Sequence, residues 1–187
     1  MSSSYTMASG QSARREQLIT YYNCGTYAIP NWDAMGCKVT DSSIELDWGE
    51  DTSQDILGHT HISVKEPTLT QDMEDFELEE GQPAYQSIWE LGVHDHSAAV
   101  ANRDLLVVHA YYAPDSTEMT EFFAERYPSS AVLPTSIGGE GGGGLKMAVN
   151  VTYGGKRETG TATINNSGVV TFVSDTATTT TTTTTGE

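Results

Sequence analysis

The sequence predicts a mainly β fold of the α+β kind: a β-sandwich or small barrel with one flanking helix, a long hairpin loop and flexible terminal arms. Three observations predict it. Ile44, Leu46 and Trp48 alternate with Ser43, Glu45 and Asp47, and Leu145, Met147, Val149, Val151 and Tyr153 alternate over nine residues. Both runs have the period of two that gives a strand one wet face. Only Pro83 to Val93 carries a helical period, with Tyr85, Ile88, Trp89 and Gly92 along one side and Pro83 at a first helical position.

The chain has 187 residues, enough for one domain with a real core and too few for two domains plus a low-complexity tail. Residues 1–17 read as an N-terminal arm, 18–174 as the β-sandwich body, and 175–187 as a Thr-rich, disordered tail. The arm begins MSSSYTMASG, which is Ser-rich and without periodicity. Leu18 to Cys24 is rich in β-formers and reads as a strand that ends at Gly25, and Trp32 to Gly36 as a second, shorter one.

After the alternating segment Val39 to Trp48, Gly49 to Asp55 reads as an acidic, polar loop, and Ile56 to Val64 resumes with β-branched residues, so that a long hairpin is expected. Thr68 to Leu78 places Leu69, Gln71 and Met73 on one parity, then Phe76 and Leu78 on the other, which a bulge explains. Leu105 to Tyr112 reads as a central buried strand. Met119 to Tyr127 reads as a helical turn or a strand stopped by Pro128, followed by a long linker ending in Gly138, Gly139 and Gly141 to Gly144. Thr159 to Ile164 and Val169 to Val173 form a closing hairpin across Asn165, Asn166, Ser167 and Gly168.

Nine Lys and Arg stand against 26 Asp and Glu, a formal charge of -17. A surface this negative does not grip phosphate, so tight nucleic-acid binding is disfavoured. Thirteen of the acids lie between Asp41 and Glu80, with Lys65 the single Lys or Arg among them. That segment is expected to present one strongly negative surface, although a merely solvated face, or a host with a salty cytoplasm, selects the same composition. Cys24 and Cys37 suggest free thiols, not a zinc ribbon or a disulfide framework. No apolar run reaches membrane-spanning length and the first residues lack a signal-peptide pattern, so neither export nor embedding is expected.

Chemistry is sought among the histidines, because His59 with His61 and His94 with His96 are each two apart and close to acids. On a strand that spacing puts both imidazoles on one face, where a divalent metal could sit. No spacing fixes a third and fourth ligand, and no HExxH is present, so no metal is expected. There is no GxSxG and no GxxxxGK[ST]; the GGEGGGG run precedes a strand and reads as a flexible loop. Carboxylate pairs are too numerous for any one to mean catalysis. No catalytic residue and no cofactor are expected.

In order and local wording, the segments YYNCGTYAIPNWDAMGCKVTDSSIELDW, EDTSQDILGHTHISVKEPTLTQDMEDFEL, PAYQSIWEL and LKMAVNVTYGGKRETGTATI resemble the major tail tube proteins of long-tailed, siphovirus-type phages and archaeal viruses. The resemblance spans most of Leu18 to Val173; the GGEGGGG loop, the Thr-rich tail and the acidity depart from it. It implies a non-enzymatic virion protein whose hexameric rings, joined through strand edges, stack into a tail tube. The partners it implies are other copies of the chain, a tape measure protein, a tail terminator and baseplate or distal tail proteins, with viral DNA passing through unbound and no membrane contact. Glu45, Asp47, Asp72, Glu74 and Glu77, on the polar parity of the inner strands, are then expected to line the lumen. Gly49, Glu50, Asp51, Asp55 and Gly58 are expected at the stacking contact between rings. A carbohydrate-binding or adhesive β-sandwich is the rival reading, with Trp32, Trp48 and Trp89 as a sugar platform, although Trp48 and Trp89 sit on apolar faces as core residues do.

Overall fold

The computed structural model of the chain describes residues 5–7, 12–114 and 120–175. In chain order its strands and helices are β1 (Tyr5–Met7), β2 (Leu18–Asn23), β3 (Trp32–Ala34), β4 (Ile44–Asp47), β5 (Glu50–Gln54), β6 (Thr60–Val64), β7 (Thr68–Glu77), α1 (Pro83–Val93), α2 (Ser97–Val100), β8 (Arg103–His109), β9 (Tyr112–Pro114), β10 (Glu121–Gly138), β11 (Lys146–Thr152), β12 (Glu158–Ile164) and β13 (Val170–Ser174). All strand pairs are antiparallel. The fold is mainly β with one main helix, as expected, and the sheet does not close into a barrel.

The architecture turns on β10. Its first half pairs with β8 and β12, and its second half pairs with β11. One layer therefore runs β3-β2-β8-β10-β12-β13 and the other β10-β11-β7-β4, joined by a shared strand. The sequence places a stop at Pro128 and a linker beyond it, whereas the strand continues to Gly138. Proline is tolerated because the pairing with β8 is irregular between Tyr127 and Ser130, and Ser130 Oγ donates to the Tyr127 carbonyl across that irregularity. The chain changes layers at this bend.

Tyr22, Leu105, Val107 and Tyr127 from the first layer meet Met73, Phe76, Met147, Val149 and Val151 from the second. The α1 helix adds Ala84, Tyr85 and Ile88 to this core. Its Gln82 N-cap makes no side-chain cap bond; the Ala84 N–H instead donates to Asp33 Oδ2 on β3 at 2.8 Å. The Tyr85 ring packs on Phe76 with centroids 4.5 Å apart. A second core, containing Tyr21, Trp32, Leu106, Val108, Phe122, Ala124 and Ala162, lies on the other side of the first layer.

The two layers are also tied by polar groups. Thr20 Oγ1 donates to Gln71 Oε1 at 2.9 Å, the Tyr153 hydroxyl donates to the same oxygen, and Gln71 Nε2 reaches Ser42 Oγ at 2.9 Å. Near the first layer's inner face, buried Glu125 accepts from the Tyr127 hydroxyl at 3.1 Å, pairs with Arg157, and lies 3.4 Å from His109 Nε2. Burial pushes the Glu125 carboxyl up, but the His109 hydrogen bond and the Arg157 and His109 charges outweigh it and hold the group below its usual range. A carboxylate with a depressed folded value contributes stability above its unfolded value, and that contribution is lost as pH falls through the folded one. Glu125→Gln is expected to cost about 1–3 kcal/mol near neutral pH. Urea unfolding should show the gap between variant and wild type narrowing below about pH 4.

Two expectations are corrected here. Within the N-terminal arm, Tyr5–Met7 is a strand paired with β9 and Arg15–Gln17 is a 3-10 turn. Residues 1–4, 8–11 and the Thr-rich 176–187 lie outside the described residues. The acidic Gly49–Asp55 stretch is not a loop: Glu50–Gln54 is β5, paired residue for residue with β6.

Candidate assembly surfaces

The β5–β6 hairpin forms a two-stranded sheet of its own, apart from both layers. It leaves the body where the Lys65 N–H donates to the Gly49 carbonyl at 2.9 Å. From residue 49 to residue 66 every position is exposed except Asp55, which is half-buried. Cross-strand pairs share a face, so the pairs Thr52 with Ile62 and Glu50 with Val64 put Ile62 and Val64 on one side of the ribbon. Asp51, Ser53, His61 and Ser63 occupy the other side. Ile56 at the tip is 103% exposed and Leu57 is 76% exposed. At the base, Leu46 and Trp48 are each more than half exposed.

The tip is organised by one side chain. Asp55 Oδ1 accepts the N–H groups of Leu57 and His59, each at 2.9 Å. Asp55 Oδ2 lies 3.1 Å from His59 Nδ1 and 3.2 Å from His61 Nε2. Gly58 takes a φ of +83° and its N–H closes the turn on the Asp55 carbonyl. The five residues expected at the stacking contact therefore lie on one arm: Gly49 at its root, Glu50 and Asp51 on opposite faces of β5, and Asp55 and Gly58 at the tip. Among the described residues, no group of three or more His, Cys, Asp or Glu is arranged to hold a metal ion.

A second surface is the outer face of the second layer. Glu45 stands opposite Thr70 and Asp47 opposite Thr68, while Asp72 stands opposite Asn150 and accepts from its Nδ2 at 2.6 Å. Alternation puts Glu74 on the same side. The pairing of β7 with β11 is irregular between Met147 and Val149, which leaves both Met73 and Phe76 in the core. Beyond that bulge Glu77 returns to the outer face, opposite Lys146. The five acids picked from parity thus share one face, with the bulge supplying the parity change the sequence showed.

Glu45, Asp72 and Glu74 line a shallow groove of about 250 Å³ with Asp41, Ser42 and Ser43. Glu77 is the compensated member: Lys38 bridges it and Glu79, and the Lys38 hydrogen bond holds the Glu77 carboxyl below its usual range. The Cys24 thiol is pushed up to about 11, by burial first and then by the Asp33 charge, so it is a poor nucleophile.

The tryptophans separate. Trp32 is buried in the second core, with the Arg126 guanidinium 5.4 Å from its ring and bound by Asp104. Trp89 packs against the main core, and Trp48, expected in a core, is exposed at the root of the hairpin. Trp32 is therefore no part of an exposed sugar platform. Among the described residues no helix is long and apolar enough to cross a membrane.

No family model matches the chain, and no curated protein matches it in sequence. Among solved structures, its fold overlaps the sheath/tube terminator of the extracellular contractile injection system PVC in the extended state, with TM-score 0.46 and 8% identity over 81% of this chain and 99% of that one. It also overlaps the PVC sheath-tube complex in the extended state (TM-score 0.44, 9% identity, 81% of this chain and 93% of that chain). The tube-terminating cap of the anti-feeding prophage overlaps at TM-score 0.44 and 10% identity, over 84% of this chain and 95% of that chain. These are likenesses in fold outline to components of tube-bearing particles.

Proposed function

We propose that the chain is a structural, non-enzymatic subunit of a viral tail tube, assembled from rings of identical copies that stack through the β5–β6 hairpin. The observation that carries the reading is the hairpin itself. An isolated two-stranded ribbon is marginal in water, because it has no third strand and no core to bury its apolar face against. Here such a ribbon projects with Ile56 and Leu57 exposed at its tip and Ile62 and Val64 exposed on one face, apolar surface of the kind that an interface covers. Its occupant is a second copy of the chain, which gives every copy one arm and one receiving surface, the head-to-tail arrangement from which stacked rings are built.

The strand edges support lateral closure. Among the described residues, strands β3 and β13 end the first layer and β4 ends the second, and these are the margins that each copy would present to its neighbours. The acidic outer face fits a lumen wall: fixed negative charge repels a phosphate backbone and lets DNA pass without adhering. In this reading Glu45, Asp47, Asp72, Glu74 and Glu77 face the channel, the rings are hexameric, and a tape measure protein, a tail terminator and distal tail proteins bind the tube's inside and ends. The proteins whose folds overlap are named as terminator, sheath-tube and cap components, a role of the same kind.

The test is electron microscopy of the purified chain at rising concentration. Rings or filaments of uniform width are the expected result. A particle that stays monomeric at millimolar concentration, in low and high salt alike, overturns the reading.

A further inference from the structure

We propose that the Asp55–His59–His61 tip makes docking of the hairpin proton-dependent, so that stacking strengthens as pH falls through the range in which imidazoles titrate. This rests on the docking reading above and adds its regulation. The geometry brings two imidazoles to one carboxylate oxygen, at 3.1 and 3.2 Å, at the end of an otherwise fully exposed arm. They sit next to Ile56 and Leu57, the apolar side chains that dock. The template is stiff: besides the two N–H bonds to Asp55 Oδ1, the Asp55 N–H donates to the His59 carbonyl at 3.0 Å, and Gln54 Nε2 donates to the Gly58 carbonyl at 3.0 Å.

The backbone N–H of His59, with the two imidazoles and the Leu57 N–H, holds the Asp55 carboxyl below its usual range despite some desolvation. Asp55 therefore stays ionised while imidazoles gain protons. With both imidazoles neutral the tip carries one negative charge, and with both protonated it carries one positive charge. The surrounding charges are few. Ser53 faces His61 across the ribbon, Asp51 is its diagonal neighbour on the same face, Glu50 lies on the opposite face, and among the described residues no other element buries residues 49–66.

The receiving copy carries a formal charge of -17, so its surface attracts a cationic tip and repels an anionic one. The docked tip consequently holds its protons more tightly than the free tip. By linkage, a group whose affinity for protons rises on docking strengthens docking at low pH, and the gain disappears as pH rises past the docked value. Solvent and salt screen the interaction, so the effect is that of two exposed ion pairs and not of a buried one.

The experiment measures the concentration at which half of the full-length chain is assembled, by sedimentation, at about pH 8 and about pH 6 and constant ionic strength. The wild type is expected to assemble at a three- to tenfold lower concentration, roughly, at the lower pH. His59→Gln with His61→Gln should reduce that shift to about twofold or less, the residue left by histidines elsewhere. His59→Arg with His61→Arg should assemble at the higher pH as the wild type does at the lower, which a purely structural role for the imidazoles does not predict. A wild type indifferent to pH, or a Gln pair that keeps the full shift, overturns the proposal. If removing residues 50–64 leaves assembly unchanged, the docking reading itself fails. If removal abolishes an assembly that was indifferent to pH, only the proton dependence fails.

Discussion

Replacing Glu50–Val64 with a short Gly-Ser turn leaves a folded chain that no longer stacks. Two facts set this expectation. The ends of the excised segment already lie side by side, with the Gly49 carbonyl 2.9 Å from the Lys65 nitrogen, so a tight turn closes the gap without strain and shortens a loop at small entropic cost. The excised strands contribute nothing to either core: all ten residues of β5 and β6 are exposed. The melting temperature should therefore move by only a few degrees, about what 1 kcal/mol produces in a domain of this size. Assembly, by contrast, should disappear from light scattering and micrographs over at least a tenfold range of concentration, roughly 1.4 kcal/mol or more of lost contact. A gentler version makes the same point. Ile56→Asp with Leu57→Asp leaves the fold alone but asks the interface to bury two unpaired carboxylates, which costs several kcal/mol. Wild-type tubes from either variant would remove the hairpin from the stacking contact.

The sequence carried the architecture wherever a local period decided it. The α1 helix runs from Pro83 to Val93 as its apolar spacing and N-terminal proline indicate, β11 follows its alternation, and the β12–β13 hairpin turns at Asn165 to Gly168 as those residues indicate. It misled where pairing with a distant partner decides the structure. Glu50–Gln54 is acidic and rich in turn-formers, yet it is extended because Thr60–Val64 supplies the matching ladder. Pro128 reads as a stop, and the bend between layers accommodates it. The alternation of β4 is real, but β4 ends its layer, so Leu46 projects past the core edge instead of into it. No local signal distinguishes an apolar face that meets a core from one that awaits a neighbour.

The surfaces divide in the same way. The acidic face was legible, because alternation and one parity change are enough to gather Glu45, Asp47, Asp72, Glu74 and Glu77 on one side. The convergence of His59 and His61 on Asp55 was not. Their spacing indicates only that both rings share one face of a strand, and it takes the closing of the turn by backbone bonds to Asp55 to bring both rings onto a single oxygen.

Reversing charge on the acidic face should turn a tube that ignores DNA into one that holds it. Glu45, Asp47, Asp72 and Glu74 carry no basic partner among the described residues, whereas Glu77 is held by Lys38. Glu45→Lys with Glu74→Lys therefore changes the face by four charges per copy without breaking an ion pair, and both side chains are exposed, so the cost in stability should stay within about 0.5 kcal/mol. Repeated around a ring, the new lysines release counterions on contact with a phosphate backbone, and binding should fall steeply as salt rises. Wild-type tubes mixed with short single-stranded DNA should retain none in a pelleting assay, while the reversed tubes retain it at about 50 mM salt and release it by about 200 mM, the window over which several phosphate contacts lose most of their affinity. Nuclease decides where the DNA sits. DNA held inside a channel survives digestion; DNA coating the outside does not. Retained DNA that nuclease removes would put these five residues on the outer wall, leaving the hairpin's role in stacking untouched and ending the electrostatic account of the lumen.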